Sequence, residues 1–312
     1  MKIIRDDIES IVKQCKEGGD VPFSPKFVSS IGKKTTFTNS LNEPINLTNH
    51  FWTKRHTSAF LILSGPSLAS VNLSSVEDSG MLTMGVNNSW SVFTPDLWTC
   101  VDPPKKFLYS GWMNPQIMKF IPKTAKDKKI RWKIGEEDWI TTNTRAGETP
   151  NTFLFNRNNQ FNHRKFLTEY SINWGQSAKN ACSLGIKSSR SVMLAAIKIL
   201  YVLGIRRVYL LGCDFNMSPT HHYAFEQHRG PGAIRGNNNT YRILRKRFEA
   251  LKPHFEEHGF EVYNCNPASN LEVFPHKDLD DLIHQETHHK KMDYDTKGWY
   301  EKEPKKGSDS DG

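Results

Sequence analysis

Four short stretches hold the residue types that do chemistry. Ser64-Gly65-Pro66-Ser67 follows an apolar run. A Gly-Pro turn directly after a buried strand aims backbone N–H groups and two hydroxyls above the sheet edge, a workable phosphate cradle. Asn87-Asn88 and Asp102-Pro103 close two further apolar runs. There the asparagines read a base edge or a sugar hydroxyl, and Asp102 accepts from a ribose hydroxyl. Asp214 ends the run Tyr209 to Cys213, either as an anchor for nearby loop N–H groups or as a ligand contact and catalytic candidate. Past it, Thr220 to Arg229 carries His221, His222 and His228 with Tyr223. Imidazoles on a loop at a ligand edge supply a general base near neutral pH. As a metal site that loop has only Glu226 to add, and no metal is expected.

Other signals point away from familiar sites. The chain has no Gly-x-x-x-x-Gly-Lys-Ser/Thr loop, which disfavours a P-loop kinase. Gly230-Pro231-Gly232 with Gly236 lies far from any strand-to-helix turn and lacks the dinucleotide-binding spacing. Asp278-Leu279-Asp280 has the form that metal-dependent sugar transferases use. Here it opens a helical stretch, Lys277 to His284, where acids favour the positive end of the dipole.

The strongest charge feature lies between Pro104 and Lys133, with nine basic residues against one acid, Asp127. Phe107, Tyr109, Trp112, Phe120 and Trp132 interleave with them. The segment reads either as a solvated surface insertion or as a grip on nucleic acid. In the second case Lys123, Lys126, Lys128, Lys129, Arg131 and Lys133 follow phosphates, and Trp112 or Trp132 stacks on or wedges beside a displaced base.

These residues need elements to hold them. Ala59 to Leu63, Leu82 to Val86, and Leu97 to Val101 are apolar runs bounded by turns and predict buried strands. Ser188 to Ser191 is rich in capping hydroxyls ahead of Val192, Ala195, Ala196, Ile199, Leu200 and Leu203 at helical spacing, with Gly204 closing the helix. Arg207 to Leu211 predicts a strand. A second helix carries Ile243, Leu244, Phe248, Leu251 and Phe255 on one face, with Pro253 kinking its last turn. Phe260 to Asn264 is the next strand. Helix then strand, twice, predicts right-handed parallel crossovers. Polar ends of parallel strands are where open α/β sheets hold ligands.

The resulting picture is α/β: a single Rossmann-like domain over residues 59–285 with a mostly parallel sheet and the 104–133 segment as a basic insertion. Residues 1–58 read as a short helix (6–16) and an extended arm, residues 141–162 as polar with little periodicity, and 286–312 as a polar mobile tail. With 312 residues the chain suffices for one large domain. No apolar run reaches the roughly 20 residues of a bilayer span, and the first nine residues do not read as a signal peptide. Five cysteines without a Cys-x-x-Cys pair argue against a disulfide scaffold or zinc ribbon and for a reducing, cytoplasmic setting.

The order Leu63-Ser64-Gly65-Pro66-Ser67-Leu68, Asn87, Asp102-Pro103, Gly204 with Val208 to Phe215, Tyr223-Ala224-Phe225 and Asn266 to Leu271 resembles bacterial CMP-sialic-acid transferases. It also resembles the wider superfamily of phage proteins and archaeal hydroxymethylpterin pyrophosphokinases. The likeness covers about residues 59–102 and 188–283. It implies a variant sugar-transferase fold and metal-free transfer from a nucleotide-sugar, with no cofactor beyond that donor. It implies nucleotide contacts for Gly65, Pro66, Ser67 and Asn87, phosphate contact for Tyr223, and a helix N-terminal role for Ser189 and Ser191. Ser64 and Asp102 stand where the family has asparagines. The family's catalytic histidine has no counterpart near Gly236 to Thr240, so His221, His222 or His228 supplies the base or the chemistry differs. The hydroxyl acceptor implied by the basic segment is a hydroxymethylated pyrimidine in DNA, with no membrane partner. The alternatives are ATP-dependent diphosphoryl transfer to a hydroxymethyl group, with Asp102 and Asp214 on Mg²⁺, and a non-catalytic nucleic-acid-binding protein.

Overall fold

A computed structural model describes residues 36–51, 57–133, 139–158, 161–174, 191–218, 220, 223–225 and 230–288. In chain order the strands are β1 (Phe37–Thr38), β2 (Pro44–Ile45), β3 (Ser58–Ile62), β4 (Leu82–Val86), β5 (Leu97–Thr99), β6 (Met118–Pro122), β7 (Lys129–Lys133), β8 (Trp139–Arg145), β9 (Thr152–Phe155), β10 (Arg207–Leu211) and β11 (Glu261–Asn264). The α-helices are α1 (Leu73–Asp78), α2 (Tyr109–Met113), α3 (Val192–Val202), α4 (Pro231–Glu257) and α5 (Leu279–His288).

Nine strands form one sheet in the order β11-β10-β3-β4-β5-β6-β9-β1-β2. Every pairing from β11 to β9 is parallel, and β1 and β2 add antiparallel at the far edge. The apolar runs of β3 and β10 follow from burial on both faces. Ala59, Leu61, Val208 and Leu210 pack in the core that contains α3 and the buried side of α4. Phe60, Ile62, Tyr209 and Leu211 face the other way, onto Leu68, Val76 and Leu282.

From β3 the chain lays down β4, β5, β6 and β9 in one direction. It then returns through α3 to place β10 on the opposite side of β3. The sheet order therefore reverses between β3 and β10. Leu63 N–H donates to Leu211 O at 2.9 Å and Gly65 N–H to Gly212 O at 2.9 Å, so the two strands stay zipped one turn beyond the ladder. Crevices outside the carboxyl ends of strands at such a reversal are the ligand sites of open α/β sheets.

Several expectations change. The 104–133 segment is not an insertion beside the core: β6 is a strand of the main sheet, between β5 and β9. Phe107, Trp112 and Phe120 are buried, with Trp98 and Trp112 ring centres 4.9 Å apart. Lys119 is fully buried, and its ammonium donates to Asn114 O (2.6 Å), Ile117 O (3.1 Å) and Pro150 O (2.8 Å). A charge run in sequence is thus partly an internal clamp, because three carbonyls at the edge of β6 need a donor. Burial pulls its pKa down to about 8. Residues 36–51 supply β1 and β2 in place of the expected extended arm. The stretch 141–162 holds most of β8 and all of β9.

The second predicted helix starts well before its apolar stripe, with Gly230 as N-cap and Pro231 at the first position, and it continues past Pro253. α5 runs three residues beyond the expected boundary at 285, while the 6–16 helix and residues 289–312 lie outside the described residues. The Asp278-x-Asp280 pair opens α5: Asp278 Oδ1 accepts from Asp280 N–H (3.0 Å) and Asp281 N–H (3.1 Å). Among the described residues no helix is long and apolar enough to cross a membrane.

Candidate active site

The turns after β3, β4, β5 and β10 surround a cleft of about 380 Å³ above the reversal point. It is lined by Ser64, Gly65, Asn87, Asp102, Ser191, Asp214 and Tyr223, all predicted from sequence. Pro66, Ser67 and Asn88, from the same set, do not line it. Ser189, His221, His222 and His228 lie outside the described residues.

The β3 turn is built differently from a phosphate cradle. Ser67 N–H lies 3.2 Å from Asp214 Oδ2, and Ser67 Oγ donates to the same oxygen at 2.8 Å. Asn266 Nδ2 donates to Oδ1 at 3.2 Å. Asp214 is therefore a tie between the β3 turn, the β10 turn and the loop after β11. Of the donors expected to meet a ligand phosphate, Ser67 N–H and Oγ are spent on it, and Gly65 N–H on Gly212 O. As general base it would first have to give up these bonds, so the anchoring role is the one its geometry carries.

Gly65 is glycine because of this tie. A Cβ there would lie 2.0 Å from Asp214 Oδ2 and 2.5 Å from Gly212 O. Gly212 itself takes a left-handed backbone (φ +65°), as does Phe215 (φ 54°). A bulky residue pays strain in that region. Phe215 is held there by stacking on Tyr241 of α4, ring centres 5.0 Å apart.

Asn87 opens the turn after β4, also left-handed (φ 50°), a conformation asparagine accepts readily. Its backbone carbonyl accepts from Trp98 Nε1 at 2.7 Å, which fixes its place. Its side-chain Oδ1 is buried and has no partner. A buried acceptor left unpaired costs free energy until a donor arrives. Asn87 is on the cleft wall, where a ligand would bring one. Asp102 is more exposed and is bridged by Lys106 Nζ at 3.1 Å.

The opposite wall comes from two helices. Ser191 is the N-cap of α3: its Oγ accepts from Met193 N–H at 3.2 Å, and its own N–H donates to Trp174 O. The start of an eleven-residue helix thereby faces the cleft with its positive end. Trp174, with Arg157 4.2 Å over its ring, forms the apolar floor beside it. α4 contributes Asn237, Thr240 and Tyr241. Its neighbour Asn238 clamps the loop after β10, accepting from Met217 N–H and donating to Met217 O, both at 2.9 Å. Tyr223 stacks on Phe225 at 5.3 Å, and Ala224 N–H donates to Ser64 O at 3.1 Å. The described part of the histidine-bearing loop is thus seated on the β3 turn.

Sequence reading missed Trp174, Phe215, Asn216, Asn237, Thr240 and Tyr241. The polar run Asn237-Asn238-Asn239-Thr240 ahead of an apolar helical stripe was the one signal that pointed to some of them. Cys213, behind the cleft, is buried, and burial with the Asp214 charge raises its thiol pKa well above the ordinary value. It acts as a small hydrophobe. Among the described residues no group of three or more His, Cys, Asp or Glu side chains is arranged to hold a metal ion.

The predicted nucleic-acid residues differ in exposure. Lys123, Lys128 and Lys129 are exposed, Lys126 is half-buried under Gly147, and Lys133 ends β7 with its side chain outside the described set. Arg131 Nε donates to Lys105 O at 3.0 Å. Trp132 is 57% exposed and stacks on Tyr109.

Fold and cleft define an α/β protein with a large, mostly parallel mixed sheet and a polar, aromatic-walled crevice at its carboxyl edge. No family model, no curated protein and no solved structure matches this chain.

Proposed function

We propose that this protein is a glycosyltransferase of the Rossmann-like variant that its motif order resembles, moving a sugar from a nucleotide donor to a hydroxyl. The observation that carries this is the position of Asn87. Asn87 lines the cleft over the strand-order reversal, and its side-chain carbonyl oxygen is buried without a hydrogen-bond partner. It suits the amine or hydroxyl donor of a nucleoside. Trp174, Phe215, Tyr223 and Tyr241 supply flat apolar surface for base and sugar. The N-terminus of α3, the Ser191 and Tyr223 hydroxyls and the amide of Asn237 supply donors for the phosphate.

Chemistry in this reading is direct displacement. A base takes the acceptor hydroxyl proton as the acceptor oxygen attacks the anomeric carbon. The bond from that carbon to the donor phosphate breaks, and the electron pair leaves with the phosphate, stabilised by the donors at the α3 end. The base is assigned to His221, His222 or His228, which flank in sequence the described residue Ala224 bonded to Ser64 O, since Asp214 is committed to Ser67 and Asn266.

Thermal-shift screening of CMP-, UDP- and GDP-sugars tests the proposal. One of them is expected to raise Tm at millimolar concentration, and less so in Asn87→Ala. No shift from any of the three would overturn it. AMP release from ATP dependent on Mg²⁺ would replace it with diphosphoryl transfer.

A further inference from the structure

One exposed feature is unused by the cleft. The hairpin β7–β8 stands outside the main sheet, pairing antiparallel with Trp132 opposite Ile140. Trp132 and Ile140 are 57% and 54% exposed. Behind Trp132 the ring of Tyr109 lies nearly parallel, 5.6 Å away and tilted by 18°. Two rings already stacked, the outer one open to solvent, form a platform on which a third flat ring can continue. The same segment carries exposed Lys128 and Lys129, the latter donating to Asn143 Oδ1 at 3.3 Å across the hairpin, and Arg131, which bonds the carbonyl of exposed Lys105.

A chain of contacts leads from this platform to the cleft. Arg131 is bonded to Lys105 O, the adjacent Lys106 pairs with Asp102, and Asp102 lines the cleft. The acids nearby are mostly answered: Asp102 by Lys106, Asp127 and Glu148 by Arg145 at 3.8 and 3.9 Å. Over residues 104–148 ten cations face five acids, so the segment stays positive even with Glu136, Glu137 and Asp138 between the strands.

We propose that this hairpin docks single-stranded DNA, an unpaired base stacking on Trp132 while Lys105, Lys128, Lys129 and Arg131 follow the phosphates. Stacking needs a base with a free face, which a duplex denies it. Trp132's cross-strand neighbour is the apolar Ile140, which suits a deoxyribose or a thymine methyl better than a ribose 2′-hydroxyl. As a DNA-binding surface the hairpin stands by itself. As the place that holds the sugar acceptor it rests on the transferase reading.

The test is fluorescence anisotropy of the full chain with a labelled mixed-sequence DNA 20-mer across a salt series. Binding is expected to weaken with a log–log slope of about −0.7 per phosphate contact. Trp132→Ala should weaken it roughly 5- to 150-fold, the range for losing one stacked base. Lys128→Glu with Lys129→Glu should flatten the slope. Both variants keep the parent's far-UV spectrum and its response to the stabilising nucleotide-sugar. DNA binding unaffected by Trp132→Ala, a flat salt response, tighter binding of the RNA of the same sequence, or binding to anionic phosphatidylserine vesicles without DNA binding would each overturn the proposal. Loss of DNA binding in the parent with nucleotide response intact would leave the transferase reading standing, and the converse result would leave this one.

Discussion

Replacing Gly65 with alanine places one methyl group where β3 and β10 meet. Two oxygens stand in its way: Asp214 Oδ2 at 2.0 Å and Gly212 O at 2.5 Å. The carboxylate can swing aside only by giving up Ser67 N–H, Ser67 Oγ and Asn266 Nδ2. Hydrogen bonds to a charged acceptor contribute about 1.5–3 kcal/mol each in a closed setting. Asp214 is half-buried, so water recovers part of the loss, and about 2 kcal/mol remains for the three together. The Gly212 carbonyl is backbone and accepts from Gly65 N–H, so moving it parts the two turns. The expected destabilisation is about 3–5 kcal/mol, at the upper end for point substitutions. Urea unfolding followed by far-UV circular dichroism reads it from the midpoint at constant slope. In an Asp214→Ala background the side-chain clash is gone but the Gly212 clash persists. The same substitution should then cost about 1–2 kcal/mol less, a coupling typical of residues in contact. A Gly65→Ala protein within about 1 kcal/mol of the parent, or no coupling between the two sites, would refute the account of this junction.

Asn87→Gly should keep the fold within about 1 kcal/mol, since glycine accepts the left-handed backbone, yet lower the thermal shift given by the nucleotide-sugar as Asn87→Ala does; a shift equal to the parent's counts against Asn87 as a ligand group. Burial holds Lys119 near 8 and, despite the opposing charge of Glu169, Lys198 near 7, both below the usual 10.5. Between those values and 10.5 the unfolded chain binds more protons than the folded one, so stability should rise with pH, about 2 kcal/mol from Lys119 and about 3 kcal/mol from Lys198 between pH 7 and 9.5. Above that window Tyr209, whose pKa is raised by burial and by Glu286, acts in the opposite sense. Urea midpoints across the window check this, and a flat or falling profile would contradict it; Lys198→Met should reduce the slope.

Much of the fold was legible because its signals are local. The runs 59–63, 82–86, 97–101, 207–211 and 260–264 are continuous apolar stretches bounded by turn residues, and strands buried on both faces leave that mark. The α3 helix was equally plain, with a serine N-cap ahead of a repeating apolar stripe and Gly204 in a left-handed backbone after it. β8 was opaque, because an exposed hairpin strand with Thr141, Thr142, Asn143 and Thr144 in its centre carries no apolar alternation. β6 was hidden in a lysine-rich segment. Only the sheet showed that Lys119 is surrounded by carbonyls rather than water.

The site divides the same way. Sequence alone determined which side chains stand at strand ends, since a turn must follow a strand and polar residues must fill it. It placed Ser64, Gly65, Asn87, Asp102, Asp214 and Tyr223 at that edge. Strand order was beyond it, because the pairing of β10 with β3 joins residues about 150 positions apart and leaves no local trace. That pairing decides that Ser67 and Asp214 bond each other instead of a ligand. It also decides that Gly65 is bare to admit a carboxylate. The polar first turns of α4 reach the cleft because the loop after β10 is clamped to Asn238. Turn chemistry is written in neighbouring residues. Which turns meet is settled by tertiary packing alone.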